Sequence, residues 1–363
     1  MRILNVHYTG FGGLASVVHN MATAKGAETH EWVMAYYGVA PLERTHADFC
    51  NQYGFSYEVF SPKLRAPWKA WYYLARWLEK IKPDAILCHS PTAIPPLAWY
   101  AKRRSVPLIA IEHTPVNLKS RSEWYGSRLA MLIADRVVVL TQTYADLLRA
   151  RLGFYFSQSK VRTIPNGVSL SMFTPKSRSR SGDRLKVGMA ARITSSKRHD
   201  LLLKVAARLD FEFEFVGDGE LLAIIRGDIE KQGLTNVLCR GYLSPEQIPQ
   251  WLRSLDVYVH ASSGETFSMS ILQAMAVGLP IVVSAIPGMS EIVGYRNHYG
   301  LLAENNVDSW LEALEKLADS ECRRNELGKA ARERVQELYS SDIMLARYLS
   351  VIHEVIQERI SPS

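Results

Sequence analysis

The chain has 363 residues, 47% of them hydrophobic, and a formal net charge of +7. That length suits two compact α/β domains better than one core. Cys50, Cys88, Cys239 and Cys322 form no CxxC pair, which argues against a zinc ribbon or a disulfide framework and fits a reducing cytoplasm.

The apolar run at the N-terminus, MRILNVHYTG, is too short for a signal peptide. The uncharged stretch 271–289 contains Gln273, Gly278, Pro280 and Pro287, so it reads as a helix followed by a strand rather than a membrane span. Charge is uneven: residues 1–170 hold 20 Lys+Arg against 11 Asp+Glu, and the remainder 23 against 25. Six of the eight tryptophans are in that basic half. A basic, aromatic surface suits an anionic membrane or a lipid-linked acceptor. No nucleic-acid-binding motif accompanies it, so nucleic acid is not an expected partner.

In chain order, ILNVHY, WVMAYY, YEVF, AILCHS, LIAIEH, RVVVLT and VRTIP read as strands separated by amphipathic or alanine-rich helices. This is the punctuation of a parallel βαβ sheet. A polar, serine-rich linker is expected over 171–186. A second series follows, KVGMAA, FEFEFVG, NVLCRG, VYVHAS and PIVVSA, each leading into a helix. The expected domains are therefore 1–170 and 187–345, with a helix over 346–363 crossing back to the first. Residues from about 307 read as helix without strands.

The first strand runs into Thr9-Gly10-Phe11-Gly12-Gly13-Leu14-Ala15. Bare amides of such a turn, at a helix N-terminus, can approach a phosphate. The pattern also matches GxGxxA, but the second strand ends in Tyr36-Tyr37-Gly38 without the acidic residue that a dinucleotide site needs. In the second series, Arg192 and Lys197 stand five residues apart between a strand and a helix. Two cations there suit a diphosphate leaving group, although a solvated helix start would look the same. Further on, a small-residue turn presents Glu265 before a helix whose first amides point to the same place. Gln273 lies two turns along that helix. Its amide can reach a ribose hydroxyl. Glu112-His113-Thr114-Pro115 follows the fifth strand of the first domain, at an edge where open sheets bind ligands.

These segments together resemble glycosyltransferase family 4, retaining enzymes of the GT-B fold with two Rossmann-like domains facing a donor/acceptor cleft. The resemblance rests on GGL near the start, IPNGV, the Arg192/Lys197 pair, Gly217-Asp218-Gly219-Glu220, DVYVHAS, E-x7-Q, AMAVGLPIVVS and Gly288-Met289-Ser290-Glu291. It implies that Arg192 and Lys197 bind the donor diphosphate and that Glu265 and His113 contact the donor sugar. It also implies that Thr266, Phe267 and Ser268 offer backbone amides, and that Gly12 and Gly13 face the diphosphate. Position 273 departs from the family, which commonly has glutamate there. Thr266 and Ser268 replace its usual glycines.

The implied activity is retaining, metal-independent transfer of a hexose from a UDP- or GDP-linked donor to a lipid-linked or cell-envelope glycan, as in lipopolysaccharide or capsule assembly. No cofactor is implied, and no DxD or histidine cluster suggests a metal. A sugar-nucleotide epimerase of similar fold and a silent nucleotide-sugar-binding protein are the alternatives.

Residues 65–82, RAPWKAWYYLARWLEKIK, form a basic amphipathic helix candidate. Trp68, Trp71, Tyr72, Ala75 and Leu78 share one stripe, expected to pack on the sheet or to enter a membrane. Trp77, Lys69, Arg76, Lys80 and Lys82 are left for lipid headgroups. The 119–121 loop and 102–104 would extend the basic face, placing the protein peripherally at the inner membrane.

Overall fold

The computed structural model describes residues 1–10, 12–63, 66–175 and 184–361. It consists of two compact units, Met1–Gly167 with Ser341–Ser363, and Val168–Ser340.

The first unit alternates strand and helix: β1 (Arg2–His7), α1 (Gly13–Ala22), β2 (Glu31–Tyr37), α2 (Arg44–Tyr53), β3 (Ser56–Phe60) and α3 (Pro67–Ile81). It continues with β4 (Ala85–Cys88), α4 (Ile94–Arg104), β5 (Leu108–Glu112), α5 (Arg121–Ile133), β6 (Arg136–Val139), α6 (Gln142–Leu152) and β7 (Val161–Thr163). All seven strands run parallel in the order β3-β2-β1-β4-β5-β6-β7. The central strands AILC, LIAIE and RVVV are buried along their whole length, as a parallel sheet covered on both faces requires. Leu4 and Val6 join a core with α3, α4 and α5. Asn5 and His7 alternate with them and so point to the other face, where His7 meets His46 of α2 at 5.2 Å.

The second unit repeats the plan: β8 (Lys186–Ala190), α7 (His199–Ala206), β9 (Glu212–Val216), α8 (Leu222–Lys231), β10 (Val237–Gly241), α9 (Ile248–Arg253) and β11 (Val257–His260). There follow α10 (Met269–Val277), β12 (Ile281–Ser284), α11 (Pro287–Val293), β13 (Leu301–Ala303), α12 (Val307–Ala318) and α13 (Glu321–Leu338). The strand order is β10-β9-β8-β11-β12-β13, again parallel. β13 was not expected from sequence. Gly278 ends α10 with φ of 83°, and a Cβ on Gly328 of α13 would stand 2.1 Å from its carbonyl oxygen. Glycine at 328 thus lets α13 brace the end of α10.

The unit boundaries fall at 167/168 and 340/341, not at 170 and 345. The terminal helix α14 (Ser341–Ile360) belongs whole to the first unit. There Glu354 pairs with Arg136 and Arg162, and Arg359 with Asp135. Positions 176–183 of the expected linker lie outside the described residues. Among the described residues no helix is long and apolar enough to cross a membrane, and 271–289 is most of a helix, a strand and the start of another helix.

Candidate functional site

In the second sheet the chain winds outward in opposite directions from β8 and β11. The loops following these neighbours therefore open at the switch point, where α/β sheets take ligands beyond the strand C-termini. The loop after β8 carries Arg192 and Lys197. The loop after β11 carries Glu265, Thr266, Phe267 and Ser268. The two are stitched together: the Ser263 amide donates to the Ser196 carbonyl at 2.8 Å and Ser262 Oγ donates to the same oxygen at 3.0 Å. Across that seam the Lys197 ammonium pairs with the Glu265 carboxylate, each side chain 17% exposed.

Further contacts hold these loops in place. The Ser262 amide donates to Ser284 Oγ at 2.9 Å, Ser284 Oγ donates to Asn305 Oδ1 at 2.7 Å, and Asn305 Nδ2 returns to the Ser262 carbonyl at 3.0 Å. A Cβ on Gly288 would stand 2.3 Å from the Glu265 carbonyl oxygen, so glycine lets α11 seat under the Glu265 backbone. Gly217, at φ of 139°, lies against the Ala191 carbonyl, where a Cβ would come within 1.9 Å. Ser262, Ser284, Gly217 and Gly288 stand in segments quoted above from the sequence, whereas Asn305 had no sequence signal.

Several polar groups are held here without protein partners. Among the described residues the exposed Arg192 guanidinium meets no carboxylate, the half-buried Gln273 amide makes no side-chain hydrogen bond, and the amides of Thr266, Phe267 and Ser268 bond to nothing. Ser268 stands at the N-cap position of α10 without a side-chain bond to its amides, so the first-turn amides of that helix face outward beside them. Phe267 is buried edge-on against Tyr339 at 5.5 Å and can offer only its backbone. Two neighbouring histidines stay neutral. His260 is pushed well down by burial and by Lys197, and His199 to about 4 by the same causes. One paired cation, one free cation, one carboxylate and a row of free amides together suit an anionic diphosphate next to a hydroxyl-rich group.

Gly12, Gly13 and His113 belong to the first unit, around its own switch point between β1 and β4. Gly12 is extended, and a Cβ there would meet nothing within 4 Å. His113 is half-buried and lies 2.9 Å from His89 Nδ1 through its Nε2. His89 and its further partner Asn5 were not singled out from sequence. Their positions at adjacent strands, Asn5 within β1 and His89 directly after β4, are the signal that could have found them.

Two expectations about the basic face are corrected. Lys119 is buried, not directed at lipid: it pairs with Glu112 and donates to Ser127 Oγ at 2.5 Å. In α3 the buried residues are Ala70, Leu74 and Leu78, with Trp71 and Trp77 packed partly against the core. Trp77, expected to be left for headgroups, meets Phe60 at 5.4 Å. Trp68, Tyr72 and Tyr73 are instead exposed, at 59%, 58% and 64%. Arg65 lies outside the described residues. Arg103 and Arg104 both pair with Glu79, which partly neutralises 102–104.

Residues 11–172 match the family described as Glycosyltransferase Family 4, and residues 173–334 match Glycosyl transferases group 1. A D-inositol 3-phosphate glycosyltransferase of Paenarthrobacter aurescens is 29% identical over 255 residues, 62% of this chain and 62% of that protein. An exopolysaccharide phosphotransferase of Streptomyces coelicolor is 26% identical over 336 residues, 89% of this chain and 34% of that protein. The chain thus spans less than two thirds of the length of these relatives. Anabaena HepE, solved in complex with UDP-glucose, superposes with a TM-score of 0.83 at 18% identity, covering 99% of this chain and all of HepE. That likeness shows the GT-B fold.

Proposed function

Since the chain belongs to the group 1 glycosyltransferases, with a family 4 N-terminal half, we propose that it transfers a hexose from a nucleotide sugar to a glycan or lipid-linked acceptor, with retention and without a metal ion. The observation that carries this reading is the seam at Ser196, where Lys197 and Glu265 pair, together with Arg192 and the amides of 266–268, which have no partner among the described residues. Arg192, Lys197 and the amides would bind the donor diphosphate and neutralise charge as the bond to the anomeric carbon breaks. Glu265 would accept hydrogen bonds from sugar hydroxyls, Gln273 would reach the ribose, and His113, Gly12 and Gly13 would act from the first unit. The acceptor hydroxyl oxygen would bond to the anomeric carbon from the face the phosphate leaves, and its proton would pass to the departing phosphate oxygen.

The binding of UDP-glucose by HepE supports a UDP-linked donor, with GDP-linked donors as the comparison. The exposed Trp68, Tyr72 and Tyr73 beside Lys69, Arg76 and Lys80 support peripheral binding to an anionic membrane on the cytoplasmic side and an acceptor from envelope-glycan assembly.

A thermal-shift panel of UDP, GDP and ADP with their sugars, run in chelator, tests the donor. Stabilisation by one nucleotide, lost in Arg192→Ala, is the expected result. Product analysis completes the test. A new glycoside with the donor's anomeric configuration supports the proposal, an inverted one removes retention, and an isomerised or untouched donor removes transfer.

A further inference from the structure

Three side chains at the switch point of the first unit form one hydrogen-bonded line. Asn5 is in β1, His89 directly follows β4 and His113 directly follows β5. β4 pairs with both β1 and β5, so the backbone fixes their spacing. His89 Nε2 lies 3.2 Å from Asn5 Oδ1, and His89 Nδ1 lies 2.9 Å from His113 Nε2. The ring planes lie within 25° of each other with centroids 5.1 Å apart, so the two imidazoles meet edge to edge along that bond. Asn5 and His89 are buried at 0% and 3% exposure, whereas His113 is half-buried.

The proton positions follow from the donors and acceptors available. An amide oxygen only accepts, so His89 Nε2 carries the proton. Burial, with the neighbouring imidazoles, drives His89 far below its ordinary range; burial, then Lys119, lowers His113 to about 3. Each ring is neutral and has one N–H. His89 Nδ1 is therefore bare and accepts from His113 Nε2–H. His113 Nδ1 is left bare in turn, and among the described residues nothing bonds to it. His7, edge-on to His89 at 6.5 Å, is neutral too and adds no charge to the line. No three His, Cys, Asp or Glu among the described residues are grouped to hold a metal ion.

We propose that Asn5 and His89 are positioning residues that lock His113 in its Nε2–H tautomer, so that Nδ1 offers a pure hydrogen-bond acceptor to a sugar hydroxyl. This rests on the reading of the site as one for a nucleotide sugar. A hydroxyl can donate or accept. A partner that only accepts fixes which way its O–H points and selects the sugar by hydroxyl position. His113 acts here by orientation and not by proton transfer.

The test reads the tautomers directly, by two-bond proton–nitrogen correlation NMR of the ¹⁵N-histidine-labelled full chain at neutral pH. Protons at Nε2 of both His89 and His113 are expected. Protons at Nδ1 of both rings, the pattern in which the Asn5 amide donates, would overturn the proposal. In Asn5→Leu and His89→Leu, His113 should become a mixture of tautomers, and kcat/KM for the donor should fall about tenfold. His89→Asn puts an amide oxygen near the place of Nδ1. It should keep the His113 tautomer and stay within about threefold of the parent. Equal losses in His89→Asn and His89→Leu, or full activity despite a scrambled tautomer, would show that the line does not position His113. The parent tautomer is read without substrate and without any variant having to fold. Absence of turnover in the parent with every nucleotide sugar would refute the proposed function, whereas turnover with Nδ1–H at His113 refutes this inference alone.

Discussion

Lys197 and Glu265, 68 residues apart in sequence, meet as an ion pair because the Ser196 carbonyl ties the loop after β8 to the loop after β11. Both side chains keep a minority of their surface open, so the pair is accessible to a ligand while remaining largely shielded from water. Glu265→Gln keeps the shape and hydrogen-bonding capacity but removes the charge. Turnover should fall about 100-fold, with a melting temperature within a few degrees of the parent. Lys197→Ala should weaken nucleotide binding by about tenfold or more. Calorimetric titration with the nucleoside diphosphate measures it, and undiminished affinity would remove Lys197 from the donor site.

Arg192 and Gln273 differ from that pair in having no side-chain partner among the described residues. Removing them should therefore leave stability nearly unchanged, within about 0.5 kcal/mol. Arg192→Ala should raise the donor KM without a change in melting temperature. Gln273→Glu supplies a stronger acceptor for ribose hydroxyls and should tighten nucleotide binding by several-fold. Weaker binding in Gln273→Glu would mean that the amide donates to the ligand rather than accepting from it.

Much of this arrangement was legible because its signals are local. The strands from KVGMAA to PIVVSA are short apolar or alternating runs, several of them followed by a glycine- or proline-bearing turn, and the 262–280 segment carries carboxylate, turn and helix start in one stretch. β13 escaped because three residues, LLA, are too few to show a period. The Ser284–Asn305 support and the Asn5–His89 line escaped because each joins residues distant in sequence with nothing between them to mark the meeting. In α3 nearly every side of the helix carries an aromatic or aliphatic residue. The large side chains suggested the wrong stripe, and small Ala70 is the residue that lets the helix sit close.

Lys119 shows the same limit in one residue, since Lys-Ser-Arg in a loop looks solvated until the fold brings Glu112 to it. Both side chains of the pair are buried, with Tyr144 OH 3.5 Å from the carboxylate. Breaking a buried pair leaves an uncompensated charge. Lys119→Met should cost about 3 kcal/mol in urea unfolding, and adding Glu112→Gln should recover most of it. A loss in the double variant equal to that in the single would show that packing, not the stranded charge, sets the cost. Lys119→Met should also leave binding to anionic liposomes unchanged, because its ammonium does not reach the surface.

The histidines of the first unit make its stability depend on pH in a definite direction. Burial lowers His7 and His89 well below the ordinary imidazole range, lowers His46, and lowers His19 and His113 to about 3, the last also through Lys119. In the unfolded chain each would titrate near 6.5. Between pH 6.5 and about 3 the unfolded state therefore binds protons that the folded state refuses, and stability falls as pH falls. The contribution is fully present above about pH 7. It is lost progressively below 6.5, by up to about 1.4 kcal/mol per pH unit for each fully shifted histidine such as His7 or His89. Six of the eight tryptophans lie in this unit, so intrinsic fluorescence follows its unfolding. The urea midpoint should drop steeply between pH 7 and pH 5, and replacing His7 with phenylalanine should flatten the slope. A midpoint independent of pH across that range would mean that these imidazoles accept protons in the folded state, and the neutral line from Asn5 to His113 would lose its footing with them.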